Sequence, residues 1–333
     1  MPEMRDKSMK TVRLQDIADA LGISVNTVSR ALRNCSDISG ETITKVKAKA
    51  KEVGYITNNI ASYLVNGKTS FVAIVFPSLQ NPYYLIMITK LLDGLKKKGL
   101  DGLLFPISGA MDYAIVEKVL LNRCGGVISF SEFTEEIEKA FEERHLPLLL
   151  LGSNSPFPYV DCVYTDDYDG GRQVAKIFAS SDSKKALYVG NAFTETSKRR
   201  ASGFLDELKK ENCRKKADTY FLTDEEYHDF SKMFAFIRKG NYDFIFTHND
   251  ELAINIRRSL IDPEKKKVRL FGYDNVSSYL YVCERVDSVG SDYDEIAQCS
   301  ADLMAKRFFE PSEEHNIRKV FPVSVIFNPA KTR

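Results

Sequence analysis

The stretch Leu14–Asn34, LQDIADALGISVNTVSRALRN, decides how the chain begins. Leu14, Ile17, Ala18 and Leu21 fall at the i, i+3, i+4, i+7 spacing of a helix with one apolar face. Gly22 stops that helix, and Ser24 is placed to cap a second one, on which Val28, Ala31 and Leu32 form the apolar face. Two helices three residues apart predict a helix-turn-helix. Ser39 caps a third helix expected from Gly40 to Val53, with Ile43, Val46, Ala50 and Val53 turned inward and Gly54 at its end. The face this small core does not need is the informative one. Asn26, Thr27, Ser29, Arg30 and Arg33 point outward along the second helix, where a recognition helix reaches base edges in the major groove. The bland alternative, a solvated helix face, would suffice for any one of these residues, but it does not explain turn, caps and periodicity together.

The 333 residues suggest about two domains, and 44% hydrophobic content suffices for packed cores. Charge is balanced overall, with 47 Lys and Arg against 46 Asp and Glu. Its distribution is uneven: residues 1–69 hold 11 basic and 7 acidic side chains, a surplus of +4, while the other 264 residues sum to −3. A basic head that meets a polyanion follows from that asymmetry. No apolar run approaches the ~18 residues of a membrane helix, and Met1–Lys10 has no apolar signal segment, so a cytoplasmic, nucleoid-associated protein with no membrane partner is expected. Six scattered cysteines without a CxxC pair, and four histidines, predict reduced thiols and neither a metal nor a cofactor.

TVSRAL, a capped helix, VGY and NNIASYL resemble the head of the lactose/galactose-repressor family of bacterial transcription regulators, and the resemblance runs through the rest of the chain. It implies that Val25, Asn26 and Arg30 read bases, while Ser24, Thr27, Ser29 and Asn34 hold phosphates, since phosphate contacts position and base contacts specify. The head is expected over 10–56 and a hinge over 57–69. In the family the hinge folds on the operator and wedges a leucine between base steps of the minor groove; Leu64 matches that leucine, and Asn59 is expected to contact DNA beside it. A flexible linker with Leu64 packed on the body is the other reading. GlyLysThr at 67–69 is not a P-loop, because Ser62 stands where its first glycine belongs.

From Phe71 the period changes. FVAIVF (71–76), GLLF (102–105), GGVISF (125–130) and PLLLLG (147–152) are short buried strands alternating with helical stretches, and KALYVG (185–190), a strand near 219–222, DFIFTH (243–248) and VRLFGYD (268–274) repeat the pattern. The expected fold is therefore an all-α helix-turn-helix head followed by an α/β body of two Rossmann-like lobes, similar to periplasmic binding proteins. The resemblance implies three crossings between lobes, near Tyr159–Val163, Ser288–Asp292 and Phe321–Val323. Lobe 1 then covers about 70–160 and 292–321, and lobe 2 about 161–290 and 322–333.

Open α/β sheets bind ligands at the carboxyl ends of their strands. Asn249 follows DFIFTH, Asp274 follows VRLFGY, and Arg200 begins a helix after KALYVG; each corresponds to a family position that binds an effector or lines its pocket. Carboxylate, amide and guanidinium together suit a polyhydroxy ligand such as a sugar, with Tyr83, Tyr84 or Tyr273 supplying a ring face. Asp250 is read as a helix cap rather than a contact. Gly152 stands where the family often has a polar ligand contact, Arg13 replaces the usual threonine cap, Thr57 replaces a proline, the 260–268 connection is short, and the usual aromatic near Phe221 or Leu222 cannot be aligned. No nucleophile elbow, GxGxxG or metal-spaced histidines are present, which speaks against an enzyme. The resemblance implies a homodimeric repressor on a pseudopalindromic double-stranded operator; Tyr113–Leu121 and Ser277–Cys283 are the candidate contributors to an interface that the sequence does not display. Control is expected from a small-molecule effector of carbohydrate type; control by a phosphocarrier protein is the alternative.

Overall fold

The computed structural model describes residues 12–33, 35–55, 69–227, 229–260, 268–280, 285–310 and 315–328. It divides into two compact units between Thr69 and Ser70.

In the first unit α1 (Leu14–Leu21), α2 (Val25–Leu32) and α3 (Gly40–Glu52) close on Ile17, Ala18, Val28, Ala31, Val46 and Ala50. Gly22 adopts φ 66°, the left-handed conformation that ends α1 without a side-chain penalty. Ser24 and Ser39 cap α2 and α3 by accepting from the Thr27 and Thr42 N–H groups. Arg13 gives α1 no side-chain cap; instead Asp16 reaches back to the Arg13 N–H at 2.7 Å.

The second unit holds two six-stranded sheets. The first has the order β11-β5-β4-β3-β1-β2, all parallel, from β1 (Phe71–Phe76), β2 (Asp101–Pro106), β3 (Val127–Ser129), β4 (Leu148–Leu151), β5 (Asp161–Thr165) and β11 (Arg318–Phe321). One face packs on α4 (Pro82–Lys97) and α11 (Tyr293–Phe309), the other on α5 (Tyr113–Leu121) and α6 (Glu135–Glu142). Covering both faces explains why β1 and β4 read as unbroken apolar runs. The second sheet, β12-β10-β9-β8-β6-β7, is built from β6 (Lys185–Asn191), β7 (Lys216–Leu222), β8 (Phe244–Thr247), β9 (Arg269–Tyr273), β10 (Asp287–Gly290) and β12 (Ser324–Ile326). β12 alone runs antiparallel to its neighbour, β10. α7 (Asp167–Ser180) and α8 (Glu195–Lys210) cover one face, α9 (Ser231–Gly240) and α10 (Asp250–Leu260) the other.

One boundary needs correcting. Asp161–Thr165 pairs with β4 and β11, so it belongs to the first sheet, and that lobe extends to Thr165 rather than 160. The cause is a buried ion pair. Arg307 on α11 grips Asp161 at 2.7 and 3.1 Å, and the Ile317 N–H donates to the same carboxylate at 2.8 Å. An acidic residue thereby starts an interior strand, because a partner 146 positions away neutralises it.

The lobes also interlock. Val276, which follows β9 of the second sheet, is buried in the core of the first, and Tyr279 stacks 5.1 Å from Tyr293 of α11.

Candidate functional site

Asn26 is exposed, while Val25, Thr27, Ser29 and Arg30 are half-buried, with Val25 leaning on the three-helix core. Ser24 and Thr27 share their hydroxyls at 2.8 Å, so their side chains shape the start of α2. Arg30 is ion-paired with Asp37, their side chains 42% and 47% exposed. A guanidinium must leave that carboxylate to reach a base or phosphate, at the small cost of a surface pair. Replacing Asp37 by Asn should therefore tighten DNA binding by about two- to fivefold. Fluorescence anisotropy at fixed salt reads this, and an unchanged Kd would mean that Arg30 does not contact DNA. Asn34, Asn59 and Leu64 lie outside the described residues.

In the body, Arg200 on α8 is 8% exposed and organises the cleft. Its Nε donates to Asp167 Oδ1 at 2.8 Å, its Nη1 donates to the His248 carbonyl and lies 3.7 Å from Asp274, and its plane stacks 3.5 Å over the Tyr273 ring. Asp167 opens α7, Asp274 follows β9 and His248 follows β8, so three chain segments at strand ends converge on one guanidinium. Gly170 makes the Tyr273 stack possible, since a Cβ there would come within 2.5 Å of the tyrosine hydroxyl.

Burial pushes the Asp167 carboxyl upward against the opposing pull of Arg200. Burial likewise raises Asp274, to about 6, again against Arg200. Asp274 adopts φ 90°, a backbone conformation unusual for a non-glycine residue and of the kind that clusters at binding sites.

Facing these groups, Tyr83 and Tyr84 at the start of α4 build an aromatic wall with Phe130 and Tyr293, at ring separations of 5.3–6.3 Å. Burial first, and then the Asp274 charge, raise both hydroxyls well above the usual tyrosine range. The field of a second-lobe carboxylate thus reaches first-lobe phenols across the cleft. Gly152 has φ 98°, and a Cβ there would lie 3.6 Å from the Tyr83 hydroxyl, so the tyrosine occupies the neighbourhood of the missing side chain.

Arg200, Asp274, Tyr83 and Tyr84 thus lie near enough to influence one another electrostatically. Asn249 takes the capping part expected of Asp250. The Asn249 Oδ1 accepts from the Leu252 N–H at 2.9 Å and caps α10. Asp250 does not cap; it accepts from the Val276 N–H at 2.8 Å and the Ser288 hydroxyl at 2.6 Å, tying α10 to the loop after β9 and to strand β10. A Cβ on Gly272 would fall 2.1 Å from the Asp250 Oδ1, so glycine makes room for that crossing.

Sequence reasoning missed Asp167, Tyr293, Tyr227 and His248. Asp167 follows a strand that was not recognised. Tyr227, in a short 3-10 turn after β7, bonds His248 Nε2 at 2.6 Å and meets Phe193 edge to face. Nearby, a cavity of about 230 Å³ lies between Ser153, Asn154 and Tyr164 of the first lobe and Asp167, Glu195 and Arg199 of the second.

Among the described residues no helix is long and apolar enough to cross a membrane, and no cluster of three or more His, Cys, Asp or Glu is arranged to hold a metal ion.

Two family models match: bacterial regulatory proteins, lacI family, over residues 13–58, and periplasmic binding proteins and sugar binding domain of LacI family over residues 69–288. The sucrose operon repressor of Lactococcus lactis subsp. lactis is 24% identical over 306 residues, 89% of this chain and 93% of that protein. Catabolite control protein A of Staphylococcus aureus is 24% identical over 319 residues, 92% of this chain and 96% of its own. The lac repressor dimer bound to operator and the anti-inducer ONPF superimposes with a TM-score of 0.80 at 19% identity, covering 96% of this chain and 98% of that one. With both of its parts matched, the chain belongs to the lacI family of bacterial regulatory proteins.

Proposed function

We propose that this protein is a transcriptional repressor that binds a pseudopalindromic operator as a homodimer and releases or tightens on it when a sugar or sugar derivative enters the interlobe cleft. The observation that carries the reading is the cleft itself: Arg200, Asp167 and Asp274 from one lobe stand opposite Tyr83 and Tyr84 from the other. Fixed donors and acceptors suit hydroxyl groups, and aromatic faces suit the apolar side of a sugar ring. A ligand shared by two lobes has differential affinity for their relative orientations, which is what control of a remote head requires.

In this reading residues 10–56 form the head, 57–69 the hinge and 70–333 the body. Ser24, Val25, Asn26, Thr27, Ser29, Arg30, Asn34, Asn59 and Leu64 contact DNA, while Tyr83, Tyr84, Arg200, Asn249 and Asp274 contact the effector, Asn249 through the amide end that does not cap α10. A single head reads one half-site, so two copies are needed. Leu121, 80% exposed on α5, and Tyr113, 45% exposed on the same helix, support a first-lobe contribution to that dimer. The protein acts in the cytoplasm, on the nucleoid.

The test is a salt-varied DNA titration of the full chain against fragments from its own gene neighbourhood, followed by footprinting. Protection of two half-sites, far tighter than competitor DNA, supports the repressor. Absence of binding at low salt overturns it. Replacing Leu64 by Ala should weaken operator binding about tenfold or more while leaving effector binding unchanged, because a minor-groove wedge is lost. Equal operator affinity would argue for a plain linker at the hinge.

A further inference from the structure

His248 leaves β8 at its carboxyl end and is 7% exposed. Three of its four polar groups are engaged: the N–H donates to the Val189 carbonyl at 2.9 Å, the carbonyl accepts from Arg200, and Nε2 meets the Tyr227 hydroxyl at 2.6 Å. The fourth, Nδ1, is sealed from solvent with no hydrogen-bond partner. Buried polar atoms without partners are rare and call for an explanation.

The protonation of the pair follows from its surroundings. Burial, reinforced by the Arg200 charge, lowers the imidazole to about 3, so the ring is neutral and carries one proton. Burial raises the Tyr227 hydroxyl well above its usual range, so the phenol keeps its proton. A phenol O–H is a stronger donor than a neutral imidazole N–H. Tyr227 therefore donates to Nε2, and the ring proton sits on Nδ1. The result is a buried donor on a residue whose carbonyl is held by Arg200 and whose ring is fixed by the Tyr227 hydroxyl.

The charge around it is also defined. Arg200 is committed to Asp167 and the His248 carbonyl and lies 3.7 Å from a second carboxylate, Asp274. Two carboxylates beside one guanidinium and a neutral histidine leave a cluster hostile to a dianion.

We propose that His248 is a specificity-determining residue of the effector cleft, donating through Nδ1 to an acceptor oxygen of an uncharged polyhydroxy ligand and, with Asp167 and Asp274, disfavouring phosphate esters. The proposal rests on the reading of the cleft as the effector site.

Isothermal titration of the full chain with D-ribose, sucrose, D-fructose and fructose 1-phosphate tests it. An uncharged sugar should bind, and fructose 1-phosphate should bind more weakly than fructose. His248→Leu should weaken the tightest uncharged sugar about tenfold, the worth of one hydrogen bond from a buried donor. His248→Asn, which restores a donor, should recover part of that loss. Tyr227→Phe frees the ring to change tautomer and should weaken binding less than His248→Leu; if the leucine variant does not fold, this variant and His248→Asn carry the test. Binding within twofold of wild type in His248→Leu overturns the role of His248, and fructose 1-phosphate as the tightest member overturns the ligand class, as does no binding by any uncharged sugar at millimolar concentration. Asp274→Asn separates the two levels. If it weakens binding while His248→Leu does not, the cleft stands and this proposal falls; if neither does, the cleft is not the effector site.

Discussion

Arg200→Ala should cost about 3–5 kcal/mol of stability and abolish effector binding, because it removes the ion-paired guanidinium that chiefly compensates a fully buried Asp167. The carboxylate cannot remain ionised and unpaired at 2% exposure, so it takes up a proton. Its ordinary value in the unfolded chain is 3.8, and the folded value is already raised by burial while Arg200 opposes the shift. Removing Arg200 raises it further. A raised carboxyl pKa makes the folded state bind more protons than the unfolded chain, so stability falls as pH rises through the window between the two values. The deficit of the variant should therefore widen on going from acidic to neutral pH. Urea denaturation at several pH values reads both effects. Adding Asp167→Asn should recover part of the loss, since the uncompensated charge is then gone. A deficit below about 1 kcal/mol, unchanged by pH, would show that water reaches Asp167 and that Arg200 is not its essential partner.

The fold was legible where local signals suffice. The three head helices announce themselves through Gly22, Ser24, Ser39 and an apolar residue every turn. The strands β1, β3, β4, β8 and β9 are apolar runs, because helices cover both faces of their sheets. Illegible were β5, β10, β11 and β12, and in the first two a polar residue is satisfied by a distant partner. Asp161 waits for Arg307, and Ser288 in β10 waits for Asp250, 38 positions before it. Nothing near either residue in sequence reports that compensation.

The candidate site divides in the same way. Arg200 and Asp274 were found because they follow strands at the end where such sheets bind ligands. Asp167 was lost with its strand. The capping of α10 by Asn249 instead of Asp250 was beyond reach for a different reason: either side chain can cap a helix, and the choice is made by Gly272 on the neighbouring strand, which leaves space for one carboxylate and no Cβ. His248 stood in the apolar strand DFIFTH, and only the three-dimensional meeting with Arg200 and Tyr227 distinguishes it from a core histidine.

Asp274→Asn should stabilise the free protein at neutral pH and weaken effector binding, a trade that exposes what the cleft costs the fold. Asp274 is 6% exposed, and burial holds its carboxyl at about 6 against an unfolded value of 3.8. Between those values the folded state binds the proton and the unfolded chain does not, so unfolding free energy falls as pH rises from about 4 to 6 and stays low above. The difference corresponds to about 3 kcal/mol. Asparagine carries no charge to desolvate, and Arg200 keeps its closer partner, Asp167, at 2.8 Å. The variant should thus melt higher than wild type at pH 7.5, with the gap closing as pH falls toward 4. Effector binding moves oppositely: an ionised carboxylate accepts hydroxyl donors at both oxygens, and its loss should weaken affinity about 10- to 100-fold. In the wild type the same loss should appear on acidification through pH 6, as the carboxyl protonates. Melting curves and calorimetric titrations over pH 4.5–7.5 measure both sides. A variant less stable than wild type at pH 7.5 would show that the ionised carboxylate is a net asset to the fold, through Arg200 at 3.7 Å, and that the cleft stores no strain for a ligand to relieve.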